Sequence, residues 1–224
     1  MNIANFLLRS GLMYRDSCAL ALGRRGVASY GQLSARAAKL AGALQSNPNL
    51  EVGDRVAIFA KNKPEYLEII YGCWHAGMIV VPINSKLHVN ELSFILKDSG
   101  AKLCFVSDDL SATSRSIQSP QLKKIIEIGS SDYIGLFEGK ESKIVSCDGD
   151  VIAWIFYTSG TTGQPKGAAL SHRNLLAMCH CYFTDVDCEG VSETMLHIAP
   201  MSHGSGLYSL AQIMKGRVNV FPES

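Results

Sequence analysis

From Gly53 to Val106 the chain alternates short apolar runs with amphipathic stretches, a pattern that leaves few ways to fold. Arg55 to Ala60, Met78 to Ile83 and Lys102 to Val106 are rich in apolar residues and too short for helices. Strands of that kind are buried on both faces, and helix-length segments join them here. Asn62-Lys63-Pro64 opens the first of those helices. Its proline sits in the first turn, where the missing N–H costs nothing, and Gly77 closes the helix. Val89 to Asp98 forms the second helix, stopped by Gly100. This alternation predicts an α/β fold whose mostly parallel sheet is covered by helices.

The flanking segments extend the pattern. A helix is expected from Ile3 to Tyr14, with Asn2 as N-cap and Ile3, Phe6, Leu7 and Leu12 facing inward. Cys18 to Leu22 and Val27 to Tyr30 read as a hairpin around Gly23-Arg24-Arg25-Gly26. Ser29 and Gln32 form a capping box, and Leu33, Ala37, Leu40, Ala41 and Leu44 recur at helical spacing until Asn47-Pro48-Asn49. Residues 107–150 are less periodic and read as a surface connection, with a strand at Lys124 to Ile128 and a weak helix over 108–116. Further strands are expected at Val151 to Tyr157, Met195 to Ala199 and Arg217 to Phe221, and helices at His172 to Phe183, capped by Ser171, and Gly206 to Met214. A final strand with no helix after it would leave an open sheet edge, and hence an expectation of homodimers or edge-mediated association.

The strand Val151 to Tyr157 runs into Thr158-Ser159-Gly160-Thr161-Thr162-Gly163-Gln164-Pro165-Lys166-Gly167. Glycines allow close backbone approach to a ligand, and successive N–H groups in such a turn make an anion-binding nest. The hydroxyls add donors, and Lys166 adds a point charge suited to phosphate. Gly160 and Lys166 have the spacing of the GxxxxGK[ST] loop of kinases and GTPases. Pro165 and Gly167, however, replace that loop's glycine and its magnesium-binding hydroxyl. The composition fits a polyphosphate, held in a different way.

Tyr157 to Gly167 resembles the signature loop of the adenylate-forming superfamily, which includes acyl-CoA synthetases, aryl-CoA ligases, luciferases and the adenylation domains of peptide synthetases. Ser29 to Ala57, Asn62 to Val106 and Ala199 to Leu207 (APMSHGSGL) resemble further segments of the same superfamily, so the likeness covers nearly the whole chain. AWIFYTSGTTGQPKG is most similar to the acyl- and aryl-CoA ligases. The resemblance implies an ATP-dependent acid–thiol ligase with ATP, Mg2+ and CoA as partners beside a carboxylic acid. It implies that Thr158, Ser159, Gly160, Thr161, Thr162 and Gly163 wrap the pyrophosphate end of ATP, with Thr158 also a magnesium ligand. Lys166 would offset charge on the leaving pyrophosphate. His203 would line the acyl pocket, with Gly204 and Gly206 leaving room and Ser205 touching the substrate. The family's Y-G-x-T-E and T-G-D segments and its lid lysine have no match here, and the family's large domain is about twice as long. Residues 1–224 are therefore expected to be the front part of an N-terminal AMP-binding domain, inactive alone. A non-catalytic nucleotide-binding module, or an enzyme loading a carrier protein, would share the same loop.

Twenty-one basic against 20 acidic residues, a formal charge of +1, offer no basic field for nucleic acid. Seven cysteines without a framework suggest a reduced, cytoplasmic protein. Cys179-His180-Cys181, with Cys188, His172 and His197, lacks CxxC spacing and would spread over different helix faces, which argues against zinc. His172 reads as a helix-start residue. Tyr66 to Ile83 is about bilayer length, yet Glu68, His75, Gly77 and Pro82 break it into a helix, a turn and a strand.

Overall fold

A computed structural model of the chain describes residues 1–114, 116–117, 119–158, 164–187 and 194–223. The elements in order are α1 (Asn5–Met13), β1 (Cys18–Leu22), β2 (Arg25–Ser29), α2 (Tyr30–Gln45), β3 (Arg55–Phe59), α3 (Glu65–His75), β4 (Ile79–Ile83), α4 (Val89–Ser99) and β5 (Leu103–Val106). A 3-10 turn (Asp108–Leu110) leads to α5 (Ser111–Ser114), β6 (Lys124–Glu127), α6 (Ser131–Gly135), β7 (Ile152–Thr158), β8 (Lys166–Ser171), α7 (His172–Asp185), β9 (Thr194–Leu196), α8 (Gly204–Lys215) and β10 (Val218–Phe221).

The strands form two sheets rather than one. Six make the order β6-β5-β3-β4-β7-β8, and four make β2-β1-β10-β9. Both are parallel except for the hairpins β1–β2 and β7–β8. The continuous apolar runs are explained by burial on two faces. Val56, Ile58, Val80, Leu103 and Phe105 enter one core with α1, α2, α3, α7 and α8. Ala57, Phe59, Val81, Ile83, Cys104 and Val106 enter a second core under α4.

Several helix ends follow the sequence closely. Ser29 accepts from the Gln32 N–H, and the Gln32 side chain accepts from the Ser29 N–H. Gly100 ends α4 at φ 63°, a left-handed value open to glycine. Between α2 and α3, buried Glu68 pairs with Arg36 and accepts from the Tyr133 hydroxyl at 2.5 Å.

Three expectations are corrected, and one strand appears that the sequence did not signal. The N-cap of α1 is Ala4 rather than Asn2, although Asn2 Oδ1 accepts from the Ala4 N–H at 2.9 Å; Asn2 is buried, and its Nδ2 donates to the Trp74 carbonyl at 2.6 Å and the Val145 carbonyl at 3.0 Å. Leu12 is 73 % exposed, because Ile3, Leu7, Ser10 and Gly11 make the inner face and Gly11 lies against Ser34 of α2. Lys166–Ser171 is a strand, although its small residues Gly167, Ala168 and Ala169 carry little β signal. The last strand, β10, is not an edge. It lies between β1 and β9, with Leu20 opposite Asn219 and Met195 on the other side, which removes the stated reason to expect edge-mediated association.

Candidate active site

The polar loop spans the tip of the β7–β8 hairpin. Ser159, Gly160, Thr161, Thr162 and Gly163 lie outside the described residues, so the geometry is that of the loop's two ends. Thr158 stands directly opposite Lys166 in the antiparallel ladder, followed by Tyr157 opposite Gly167 and Phe156 opposite Ala168. Opposed residues project from one face, so the Thr158 hydroxyl and the Lys166 side chain share a side of the sheet, and both are exposed. Tyr157 projects from the other face, where its hydroxyl donates to Asp98 Oδ2 at 2.6 Å. Gly167 is opposite it for a steric reason: a Cβ there would be 2.9 Å from Ile155 Cγ2 and 3.0 Å from the Tyr157 ring. The hairpin is thus anchored on α4 by Tyr157, leaving the Thr158–Lys166 face free.

Phe156 lies two residues before Thr158 and shares its face. Against it packs the ring of His203, edge-on at 5.4 Å between centroids. The Ser202 hydroxyl lies 2.9 Å from His203 Nδ1. His203 immediately precedes α8, and Gly204 has open space where a side chain would stand. The neighbouring residues are occupied by the protein itself. Buried Ser205 donates its hydroxyl to His197 Nδ1 at 2.7 Å, and a Cβ at Gly206 would lie 1.9 Å from the Met201 carbonyl oxygen. The structure therefore brings Thr158, Lys166 and His203 to one face, while Ser205 and Gly206 serve the packing beneath it.

Sequence reasoning missed the polar chain that holds this corner. His197 Nε2 donates to Asn219 Oδ1 at 3.0 Å, a carbonyl oxygen that can only accept, and this leaves Nδ1 to accept from Ser205. Asn219 Nδ2 reaches the Arg217 carbonyl at 3.4 Å, and the imidazole stacks on Phe221 at 4.9 Å. Burial lowers the His197 pKa and favours this neutral form, against a smaller opposing effect of Asn219. Asn62, three residues beyond β3, grips the same segment from outside. An asparagine and a histidine separated by so much sequence give no local signal.

His172, the first residue of α7, is buried, and its Nδ1 accepts from the Ile3 N–H at 3.2 Å. Burial first, and the positive N-terminus second, push its pKa down to about 4. An unfolded histidine titrates near 6.5, so the unfolded chain binds the proton first as pH falls. The contribution of His172 is complete above pH 6.5 and is lost towards pH 4, with a size on the order of 3 kcal/mol. A urea midpoint that falls between pH 7 and pH 5, and falls less in His172→Gln, is the expected result. On α7, Cys179 is buried with its thiol pushed up to about 12 by burial, whereas His180 and Cys181 are exposed; Cys188 lies outside the described residues.

Comparison with known proteins agrees with this geometry. A family model described as AMP-binding enzyme matches residues 7–224. The chain is 34 % identical over 192 residues to a feruloyl-CoA synthase from Amycolatopsis sp, covering 84 % of this chain and 37 % of that protein. It is also 34 % identical over 152 residues to the fatty acid–[acyl-carrier-protein] ligase ScoC of Streptomyces coeruleorubidus, covering 67 % of this chain and 29 % of that one. The chain thus spans about a third of the length of these curated relatives. The crystal structure of the N-terminal domain of FACL13 from Mycobacterium tuberculosis superposes with a TM-score of 0.87 at 26 % identity, covering 100 % of this chain and 57 % of that one. Since the matched model runs through both sheets and reaches the β7–β8 hairpin and the His203 corner alike, this chain belongs to the AMP-binding enzyme family.

Proposed function

We propose that this chain supplies the phosphate grip and part of the acyl side of an enzyme that activates a carboxylic acid with ATP and passes the acyl group to CoA. The observation that carries the proposal is the shared face of Thr158, Lys166 and His203, with a phosphate-type loop at one end and an aromatic-backed imidazole at the other. In this reaction a carboxylate oxygen bonds to the α-phosphorus of ATP as the α–β anhydride bond breaks, and pyrophosphate leaves. The CoA sulfur then bonds to the acyl carbon, and AMP leaves with the electron pair of the acyl–oxygen bond. Such chemistry depends mainly on positioning and charge neutralisation.

Residues 158–163 would wrap the β- and γ-phosphates. Lys166, fixed where the loop rejoins the hairpin, would meet the charge of the departing pyrophosphate. Following the resemblance, Thr158 together with phosphate oxygens would hold Mg2+. Bound there, it would neutralise phosphate charge. His203, with Gly204 open beside it, would face the acid.

The test is ATP–pyrophosphate exchange with fatty, aryl and dicarboxylic acids, run on this chain and on any longer product of its gene. Acid-dependent exchange supports the proposal and names the acid class, whereas no exchange in either favours a non-catalytic nucleotide-binding module. In the exchanging protein Lys166→Ala is expected to slow adenylation at least about tenfold, roughly 1.4 kcal/mol in the barrier. An unchanged exchange rate removes Lys166 from the site. The similarity to an acyl-carrier-protein ligase supports a second acceptor, a carrier protein, which is distinguished by replacing CoA in the second step.

A further inference from the structure

Beyond β9 the chain runs to α8 without regular structure, yet this connector carries His203. One ladder-like bond, from the His197 N–H to the Val220 carbonyl at 2.8 Å, continues the pairing with β10. The carbonyls of His197 and Ala199 and the N–H of Met201 are instead met by a single side chain. Asn62 Nδ2 donates to the His197 carbonyl at 2.8 Å and to the Ala199 carbonyl at 2.7 Å, while Asn62 Oδ1 accepts from the Met201 N–H at 2.9 Å.

These bonds specify an amide. A carboxylate would lose both donors and set its charge against two carbonyl oxygens, and an aliphatic residue would lose all three bonds. The base of the clamp is itself fixed. Asn62 follows β3, and the adjoining Lys61 donates its N–H to Ser107 Oγ at 3.4 Å and places its ammonium 2.7 Å from Asp109 Oδ2. The held segment passes its position forward, because the His203 N–H donates to the Pro200 carbonyl at 3.0 Å and the Met201 carbonyl abuts Gly206.

We infer that Asn62 is a positioning residue for the acyl side: its carboxamide sets the path of residues 197–201 and thereby holds the His203 imidazole on Phe156. The inference rests on the reading of His203 as the group that faces the acid, but its structural part can be tested without activity. In the 224-residue chain, NMR should give a cross-relaxation signal between the His203 and Phe156 rings. Asn62→Ala is expected to weaken that signal at least about fivefold while the signal between Tyr71 and Trp74, whose rings lie 5.3 Å apart in the core, persists. Retention of the His203–Phe156 signal in a folded variant overturns the inference. Should Asn62→Ala fail to fold, Asn62→Asp, which keeps volume and an acceptor for Met201, gives the decision by the same two signals. In a protein that exchanges pyrophosphate, Asn62→Ala should raise the acid KM at least about tenfold and leave the ATP KM within about twofold. Equal changes in both, or in neither, overturn it. If no acid is activated by the unaltered protein, the proposed reaction fails while the ring signal still reports whether Asn62 holds His203.

Discussion

Trp74→Ala is expected to cost about 3–5 kcal/mol of folding stability, the range for removing a large aromatic side chain from a packed core. Trp74 is fully buried, meets Tyr71 edge-on at 5.3 Å and lies 6.1 Å from the Trp154 ring. The loss has a polar component, since Trp74 Nε1 donates to the Ala153 carbonyl at 2.8 Å and that acceptor is buried. Trp74→Phe separates the two, keeping much of the volume but not the bond, and is expected to cost less than the alanine variant. Urea denaturation with an unchanged slope and a lowered midpoint is the readout. A Trp74→Ala midpoint within error of the unaltered chain would mean that this junction of α3 and β7 is not where the core is held.

Gly206→Ala is expected to destabilise by about 3 kcal/mol, the upper end for forced overpacking. The new Cβ would be placed 1.9 Å from the Met201 carbonyl oxygen and 3.1 Å from the Trp154 ring, and a backbone atom cannot rotate away as a side chain can. Gly204→Ala, two residues earlier, is the control, because nothing lies within 4 Å of its added carbon. A change within about 0.5 kcal/mol is expected there, as for a surface site. Comparable urea midpoints for the two variants would show that the corner can yield around Met201.

The elements legible in the sequence are those whose signals are local. The Ser29–Gln32 capping box needs only four consecutive residues, and Gly100 needs only its own backbone angle. The strands β3, β4 and β5 stand out because burial on both faces makes them apolar throughout. What was hidden depended on distance. The pairing of β1 with β10 joins Leu20 to Asn219, so the division into two sheets has no trace in any window of sequence. The loop itself could be read from its glycines, hydroxyls and lysine. That Lys166 starts a strand, and so faces Thr158 across a ladder, required the register of β8. Likewise His203 could be singled out from its motif, whereas Asn62, read as opening a helix, and His197, weighed and set aside as a zinc ligand, gave no sign that they hold its segment.

The two ends of the candidate site are carried by different sheets. Thr158 and Lys166 ride on the six-stranded sheet, while His203 is reached from β9 of the four-stranded sheet and meets the other at Phe156 and through the Asn62 clamp. A rotation of one sheet against the other would therefore change the span between Lys166 and His203, and the Asn62 clamp and the His203–Phe156 contact oppose it. Since displacements of about 1 Å in a reacting pair can cost a hundredfold in rate, the packing across this seam would act as a ruler for the proposed reaction. Loosening it would be felt in turnover as well as in the acid KM expected to rise in Asn62→Ala.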